Sequence, residues 1–423
     1  MLKKLKHKIK DFQRWKARHR VFSWPSYGKW VEEIKQDKSQ FVPFTDTPYQ
    51  RKEGDVKIFA YYLTQFHAIP ENDDAHGKGF TEWTNVASAQ PHFVGHYQPK
   101  IPYDLGFYNL LMPGVMERQV EIAKAYGVYG FCFYYYWFSG KKVLEKPLEY
   151  WLAHREINFH YHFCWANENW SKLWDGGNQE LIFEQKLQDG DADKFFNDIL
   201  PYIKDERYEK IDNKPILMIY RPSLFAKQKF LDFLARLDDL AKQNGFEGFY
   251  ITFSNRNYPG EEMDPRCWGD YAQTEFPPHE IHNYCKEIRN VDRLVPNTSF
   301  FVLSMDYFIN NKLYLQEKPY GVFKACFSGW DNTPRKAYSG GWCFRLSDDQ
   351  FATWLKDIIR WTYEHHATNK QYVYINAWNE WGEGAILEPT LREGYRKLDI
   401  VKKCIEDNRD MKDKQQKARE LVY

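Results

Sequence analysis

Between residues 57 and 396 the chain repeats one pattern: a short run rich in β-branched and aromatic residues, then a longer stretch of helical periodicity. Strand-like runs fall at 58–63, 130–137, 159–166, 215–220, 249–254, 270–274, 322–327 and 372–377. Helical patterns fall at 115–126, 143–154, 192–204, 228–244, 280–288, 348–365 and 391–406. Parallel strands need long crossovers, and a helix fits each one, so the alternation predicts an α/β fold with helices covering a parallel sheet. Eight such units predict a closed (β/α)8 barrel, with its chemistry at the C-terminal strand ends. The expected organisation is a basic extension and linker over 1–55, the barrel over 56–408 and a charged tail over 409–423. The 58–115 connection is long enough to hold an insertion.

The last strand runs into Asn376-Ala377-Trp378-Asn379-Glu380-Trp381-Gly382-Glu383-Gly384. A solvated surface has little use for two tryptophans, and an apolar core does not accept two unpaired carboxylates. A cleft for a polar ligand with flat apolar faces, such as a sugar, explains both. In a regular strand, residues i and i+3 point to opposite faces, so both glutamates reach one cleft only if the chain curls after Glu380. Gly382 and Gly384 permit that curl. In a helix-like turn the two Cβ atoms stand about 5–6 Å apart, near the roughly 5–5.5 Å carboxyl spacing of retaining glycosidases. Like charges this close split their proton affinities and leave one able to donate. Glu380 and Glu383 are the expected catalytic residues.

The other strand ends are also rich in carboxylates, amides and indoles. Expected ligand contacts are His67, Glu82 and Trp83 after the first strand, and Tyr135 and Trp137 at the end of the second. Trp165, Asn167, Glu168, Asn169 and Trp170 follow the third, beside Trp174-Asp175-Gly176-Gly177. Glu275 and His279 follow the sixth, and Trp330, Asp331 and Asn332 the seventh. Trp378, Asn379 and Trp381 flank the glutamate pair. Structural alternatives stand beside these readings. His67 and His279 also suit a core, Tyr134–Tyr136 also suit barrel filling at alternate positions, and Glu82 also suits anchoring its own loop. Asp189, Asp191 and Asp193 have the look of a metal-binding triplet but precede a helix, where the dipole favours acids. No metal or cofactor is expected, and no glycine-rich nucleotide fingerprint follows a strand.

Aromatic residues make up 18% of the chain, too many for a closely packed aliphatic core, and sugar grooves use such faces. A net charge of +1 argues against nucleic acid as a partner. Seven cysteines are scattered without CxxC or Cys/His spacing, so neither a zinc site nor a disulfide framework is indicated, and a cytoplasmic setting is expected. No run approaches the roughly 18 apolar residues of a membrane span, and a secretory signal is not seen at the N-terminus. The first twenty residues carry nine Lys/Arg against one Asp, with Leu2, Leu5, Ile9 and Phe12 on one helical face. Such a helix suits peripheral contact with an anionic inner-membrane surface, or a solvated basic arm.

The motifs resemble those of WbsX-type proteins, a glycoside hydrolase family 99-like group from bacterial polysaccharide clusters. The resemblance covers 57–396. It rests on Gln65-Phe66-His67, Ile69-Pro70-Glu71-Asn72, Gly77-Lys78-Gly79-Phe80-Thr81-Glu82-Trp83-Thr84-Asn85, His96-Tyr97-Gln98-Pro99 and Asp104-Leu105-Gly106-Phe107-Tyr108. It continues through Cys164-Trp165-Ala166-Asn167-Glu168-Asn169-Trp170, Glu275-Phe276-Pro277-Pro278-His279, Gly329-Trp330-Asp331-Asn332-Thr333-Pro334-Arg335 and the 376–384 block. It implies a glycan-active enzyme, hydrolase or glycosyltransferase, acting on an oligosaccharide or polysaccharide of the O-antigen or capsule type, free or lipid-linked. Family 99 endo-α-mannosidases carry Glu-Trp-x-Glu at the corresponding barrel end, and Glu380-Trp381-Gly382-Glu383 fits that frame. The implied mechanism is retaining, without a covalent enzyme intermediate. Glu380 would deprotonate the sugar 2-hydroxyl, which attacks its own anomeric carbon, while Glu383 protonates the leaving oxygen. Gly382 departs from the bulkier residue, often His, expected there. A second assignment on the same fold makes Glu168 the acid/base and Glu380 the nucleophile of a double displacement. A non-catalytic glycan-binding protein is the third.

Overall fold

The structure is a computed structural model that describes residues 29, 37–171, 180–255, 261, 264–294, 299–336 and 339–420. The basic segment 1–20 and Trp174-Asp175-Gly176-Gly177 lie outside the described residues. Eight strands form the centre: β1 Lys57–Tyr62, β2 Gly130–Phe138, β3 His160–Trp165, β4 Lys214–Ile219, β5 Tyr250–Ser254, β6 Ala272–Thr274, β7 Val322–Phe327 and β8 Tyr372–Asn376. Every neighbouring pair is parallel. β1 pairs with both β2 and β8, so the sheet closes on itself as a (β/α)8 barrel.

The connections carry α1 Pro70–His76, α2 Glu82–Ser88, α3 Val115–Ala125, α4 Lys146–Ala153, α5 Asp191–Ile203, α6 Lys227–Gln243, α7 Asp306–Asn310, α8 Asp348–His365 and α9 Arg396–Glu420. α1 and α2 occupy the long connection after β1. The helix expected at 280–288 does not form. A 3-10 turn, Ile281–Tyr284, is followed by the strand Lys286–Glu287. That strand opens a four-stranded sheet with Ser299–Ser304, Ser339–Arg345 and Trp330–Asp331 beside the barrel. Ile281, Tyr284 and Ile288 have helical spacing, yet Ile288 N–H bonds to Val302 O, and sheet pairing overrides the local pattern.

The aromatic surplus fills the core itself, contrary to the expectation that it must lie elsewhere. Inside the barrel, Phe59 contacts His162 and Tyr374, and Tyr61 stacks on Tyr134, Phe276 and Tyr374. Outside it, Tyr135, Trp137 and Trp165 pack on Phe195 of α5. The segment before β1 is fastened to α9, where Arg409 pairs with Asp55. Among the described residues no helix is long and apolar enough to cross a membrane.

Candidate active site

After β8 the chain turns into a short hairpin, Asn379–Glu380 against Ala385–Ile386, closed by a 3-10 turn over Trp381–Glu383. Gly384 takes φ +63°, in the left-handed region that favours glycine. Asn379 pins the hairpin to the end of β1 by accepting from Leu63 N at 2.8 Å and donating to Leu63 O at 3.0 Å. Beneath it, the carboxylate of buried Glu388 accepts from Trp378 Nε1, Trp381 Nε1, Tyr108 OH and Gln119 Nε2. Burial pushes the Glu388 carboxyl up to about 7 against those donors. The curl brings Glu380 and Glu383 to one side of the hairpin, as the glycine spacing predicted.

Both glutamates meet the same cation. From the loop after β7, Arg335 donates from Nη2 to Glu380 Oε2 at 3.0 Å and from Nη1 to Glu383 Oε1 at 2.7 Å. Its Nε donates to Glu82 Oε1 at 2.8 Å. Three carboxylates thus surround one guanidinium, and their fields keep Arg335 charged despite its burial. Glu380 is the deeper member of the pair, its side chain 6% exposed against 19% for Glu383. Burial drives the Glu380 carboxyl up to about 8; Arg335 opposes this, while Glu383 and Glu82 reinforce it. Burial and the neighbouring carboxylates thus favour one proton shared by the Glu380–Glu383 couple at neutral pH.

The couple forms the polar end of a cavity whose walls are Tyr134, Tyr136, Phe138, Trp170, Tyr220 and Phe276. Of the expected ligand contacts, Glu168, Asn169 and Trp170 line it. Glu168 lies 3.5 Å from Arg221 Nη1, and Asn169 Oδ1 accepts from Gln185 N. Glu82 lies behind Arg335.

The remaining expected contacts are turned away, each for a visible reason. Tyr135, Trp137 and Trp165 have the wrong strand parity. Tyr134, Tyr136 and Phe138 of β2 face the cavity, while Trp137 Nε1 donates to Asp198 of α5. Trp378 and Trp381 give their indole N–H groups to Glu388, and Trp83 gives its own to Tyr108 O. Asn167 joins the third and fourth strand ends through Arg221 N and O. Asn379 is spent on β1. His67 is buried beside Thr64 O, and burial brings its imidazole down to about 4. Glu275 and His279 line a separate cavity outside the barrel wall, with Glu275 on Lys324 and His279 on Tyr220 OH. Trp330 pairs with Phe344 in the small sheet, and Asn332 accepts from Trp342 N.

Asp331 lies near His96 and Cys343, a trio of metal-ligand types. Here His96 Nδ1 accepts from His92 N, so Nε2 carries a proton and donates to Asp331 at 2.6 Å. Gln98 and Thr333 take further Asp331 lone pairs. The imidazole has no lone pair left for an ion, and the trio is a hydrogen-bonded strut. Of the Asp triplet, Asp191 accepts from Ser139 and Gln188 N at the start of α5, and Asp193 pairs with Arg236.

Residues 58–401 match the family model described as Glycosyltransferase WbsX. The chain belongs to the WbsX family. It is 36% identical over 349 residues to the protein WxcX of Xanthomonas campestris pv. campestris, a match covering 82% of this chain and 49% of the relative. The WxcX of strain B100 is 37% identical over 353 residues, with the same coverage. The chain thus spans about half the length of the curated relatives it matches. Two solved structures share the WbsX chain's fold. A glycoside hydrolase-like protein superposes with a TM-score of 0.51 at 13% identity, covering 87% of this chain and 98% of that one. The family 99 endo-α-mannosidase from Bacteroides thetaiotaomicron also gives 0.51, at 12% identity and 84% and 98% coverage.

Proposed function

We propose that this WbsX protein is a retaining glycan-active enzyme that cleaves glycosidic bonds of a bacterial surface polysaccharide, with Glu380 and Glu383 as its acid/base couple. The observation that carries the reading is two carboxyls on the terminal nitrogens of one guanidinium, at the polar end of an aromatic-walled cavity. One proton on two carboxyls is the ionisation that acid/base chemistry needs. A sugar 2-hydroxyl donating to Glu380 favours that carboxyl ionised and passes the resting proton to the more open Glu383. The 2-oxygen attacks the anomeric carbon, its proton goes to Glu380, and the leaving oxygen takes the proton of Glu383. Water then opens the epoxide at the anomeric carbon, losing its proton to Glu383 as the 2-oxygen regains one from Glu380. A sugar hydroxyl in place of water makes the same site a transferase, an alternative favoured by the family's description.

Incubation with surface oligosaccharides, followed by mass spectrometry, tests the proposal. Products heavier in sum by one water support hydrolysis, and an oligosaccharide lengthened by one unit supports transfer. Tight binding with neither product favours a non-catalytic glycan-binding protein and refutes the enzyme reading.

The substrate is proposed to be lipid-linked and the protein to work from the cytoplasmic face of a membrane. Tyr103, Phe107, Leu111, Met112 and Leu391 are exposed large apolar residues. Two of them meet the segment that starts at residue 37: Phe41 packs on Tyr103, and Lys38 Nζ bonds to Leu391 O. The basic, apolar-striped residues 1–20 precede that point in sequence. Deletion of 1–20 should move the protein from membrane to soluble fractions; unchanged membrane association would count against this role.

A further inference from the structure

Gly382 is the tightest point of the site. A Cβ there would stand 1.7 Å from Glu82 Oε1, 2.9 Å from its carboxyl carbon and 3.0 Å from Arg335 Nε. The space a side chain at 382 would take is already filled by an ion pair delivered from two other segments: Glu82 from the start of α2 and Arg335 from the loop after β7. Glu82 is fully buried, and its backbone N–H is tied to Gln65 O at 3.1 Å. Its carboxylate is held by Arg335 Nε at 2.8 Å.

We propose that Glu82 is a positioning residue for the acid/base couple, seated in the slot that Gly382 leaves open and setting both the aim and the effective charge of Arg335. Aim follows from planarity. A guanidinium gripped at Nε has its Nη1 and Nη2 directions fixed, and these are the atoms that meet Glu383 and Glu380. Charge follows from counting. Arg335 shares one positive charge among three carboxylates, so the couple is only partly neutralised and keeps its proton. With Glu82 neutral, Arg335 acts on the couple alone and the proton leaves at lower pH. The groups facing Glu380 are Arg335 from the loop after β7, Glu383 on its own turn, Glu82 from α2, and Tyr134 and Tyr136 from β2. Burial holds both phenols neutral, so Glu82 and Arg335 carry the adjustable charge.

This inference rests on the acid/base reading of Glu380 and Glu383, and its test needs no substrate. Carboxyl carbon NMR of protein labelled at glutamate Cδ, with the Glu380 signal assigned by its loss in Glu380→Gln, gives the titration midpoint. Glu82→Gln, which keeps the shape, should lower that midpoint by about one pH unit or more; an unchanged or raised midpoint overturns the proposal. Packing is read separately by thermal melting. Gly382→Ala should lower Tm in the wild-type background and have little further effect in Glu82→Ala, because the clash is with the Glu82 carboxylate. Equal losses in both backgrounds overturn the slot argument. A lowered midpoint in a protein inactive on every glycan tried would support the charge arrangement and refute the enzyme reading. Turnover by Glu82→Gln with a wild-type pH profile would do the reverse.

Discussion

Replacing Glu380 by Gln should make the protein more stable at alkaline pH, because the site holds a carboxyl that the fold prefers protonated. The amide oxygen still accepts from Arg335 Nη2, so packing and that hydrogen bond survive. The sign follows from the two states. In the unfolded chain the carboxyl titrates near its ordinary 4.5, and in the folded chain burial, resisted by Arg335 and reinforced by Glu383 and Glu82, moves it to about 8. Between those values only the folded state binds the proton, so this contribution to wild-type stability is full below 4.5 and is lost as pH rises through 8. A tenfold change in proton affinity is worth ~1.4 kcal/mol, which sets a ceiling of roughly 5 kcal/mol for the whole displacement. Glu383 shares the proton, so a gain of ~1–3 kcal/mol over wild type at pH 9 is the expected size. Urea unfolding of both proteins at pH 5, 7 and 9 measures it. The variant's advantage should grow with pH, since every other titrating group is common to both. An advantage that stays constant, or shrinks toward pH 9, would refute the argument that burial governs this carboxyl.

Other consequences concern different parts of the molecule. Glu388→Ala removes the shared acceptor of two indoles, a phenol and an amide, and should cost ~3–5 kcal/mol in chemical denaturation, with Glu388→Gln milder because one oxygen remains. Glu168→Gln should raise KM several-fold and leave kcat within about tenfold if Glu168 only binds hydroxyls; loss of kcat as deep as that of Glu383→Gln would favour the double-displacement assignment. At the opposite barrel end Glu209 accepts from Lys57 Nζ and Tyr372 OH. Burial alone would raise its carboxyl, but His160 and Lys57 hold it down to about 2. Its stabilisation is therefore present above 4.5 and lost as pH falls toward 2. Glu209→Gln should cost ~3 kcal/mol at pH 7 and much less at pH 3, by urea unfolding at both.

The barrel was legible because alternation between strand and helix survives in hydrophobicity alone. The phase of β2 was not. Its sequence, Gly-Phe-Cys-Phe-Tyr-Tyr-Tyr-Trp-Phe, is apolar on both faces, as a strand buried on both sides must be. A signal was available. Gly130 and Cys132 are the small residues of that run, and a Cβ on Gly130 would strike Phe59 in the barrel interior. Counting on by twos reaches Tyr134, Tyr136 and Phe138, the cavity wall. Indoles beside the glutamates suggested sugar platforms, but Trp378 and Trp381 each have an N–H to satisfy, and buried Glu388 satisfies both. Arg335 sits in a loop with no periodicity to place it. The charge argument that singled out Glu380 and Glu383 nevertheless implied a cation, because carboxylates this deep are kept only with a partner. Glu82 stands behind Arg335 and not in the cavity lining, a place that neither its reading as a ligand contact nor its reading as a loop anchor specified.

Glu380 and Glu383 are proposed to act together on one glycosidic bond. The most direct measurement is turnover of one surface oligosaccharide by wild type, Glu380→Gln and Glu383→Gln, with binding of the same oligosaccharide measured calorimetrically. Each variant should lose turnover by about a thousandfold or more while binding stays within about tenfold. Either variant turning over at the wild-type rate, with the same product, would contradict the claim.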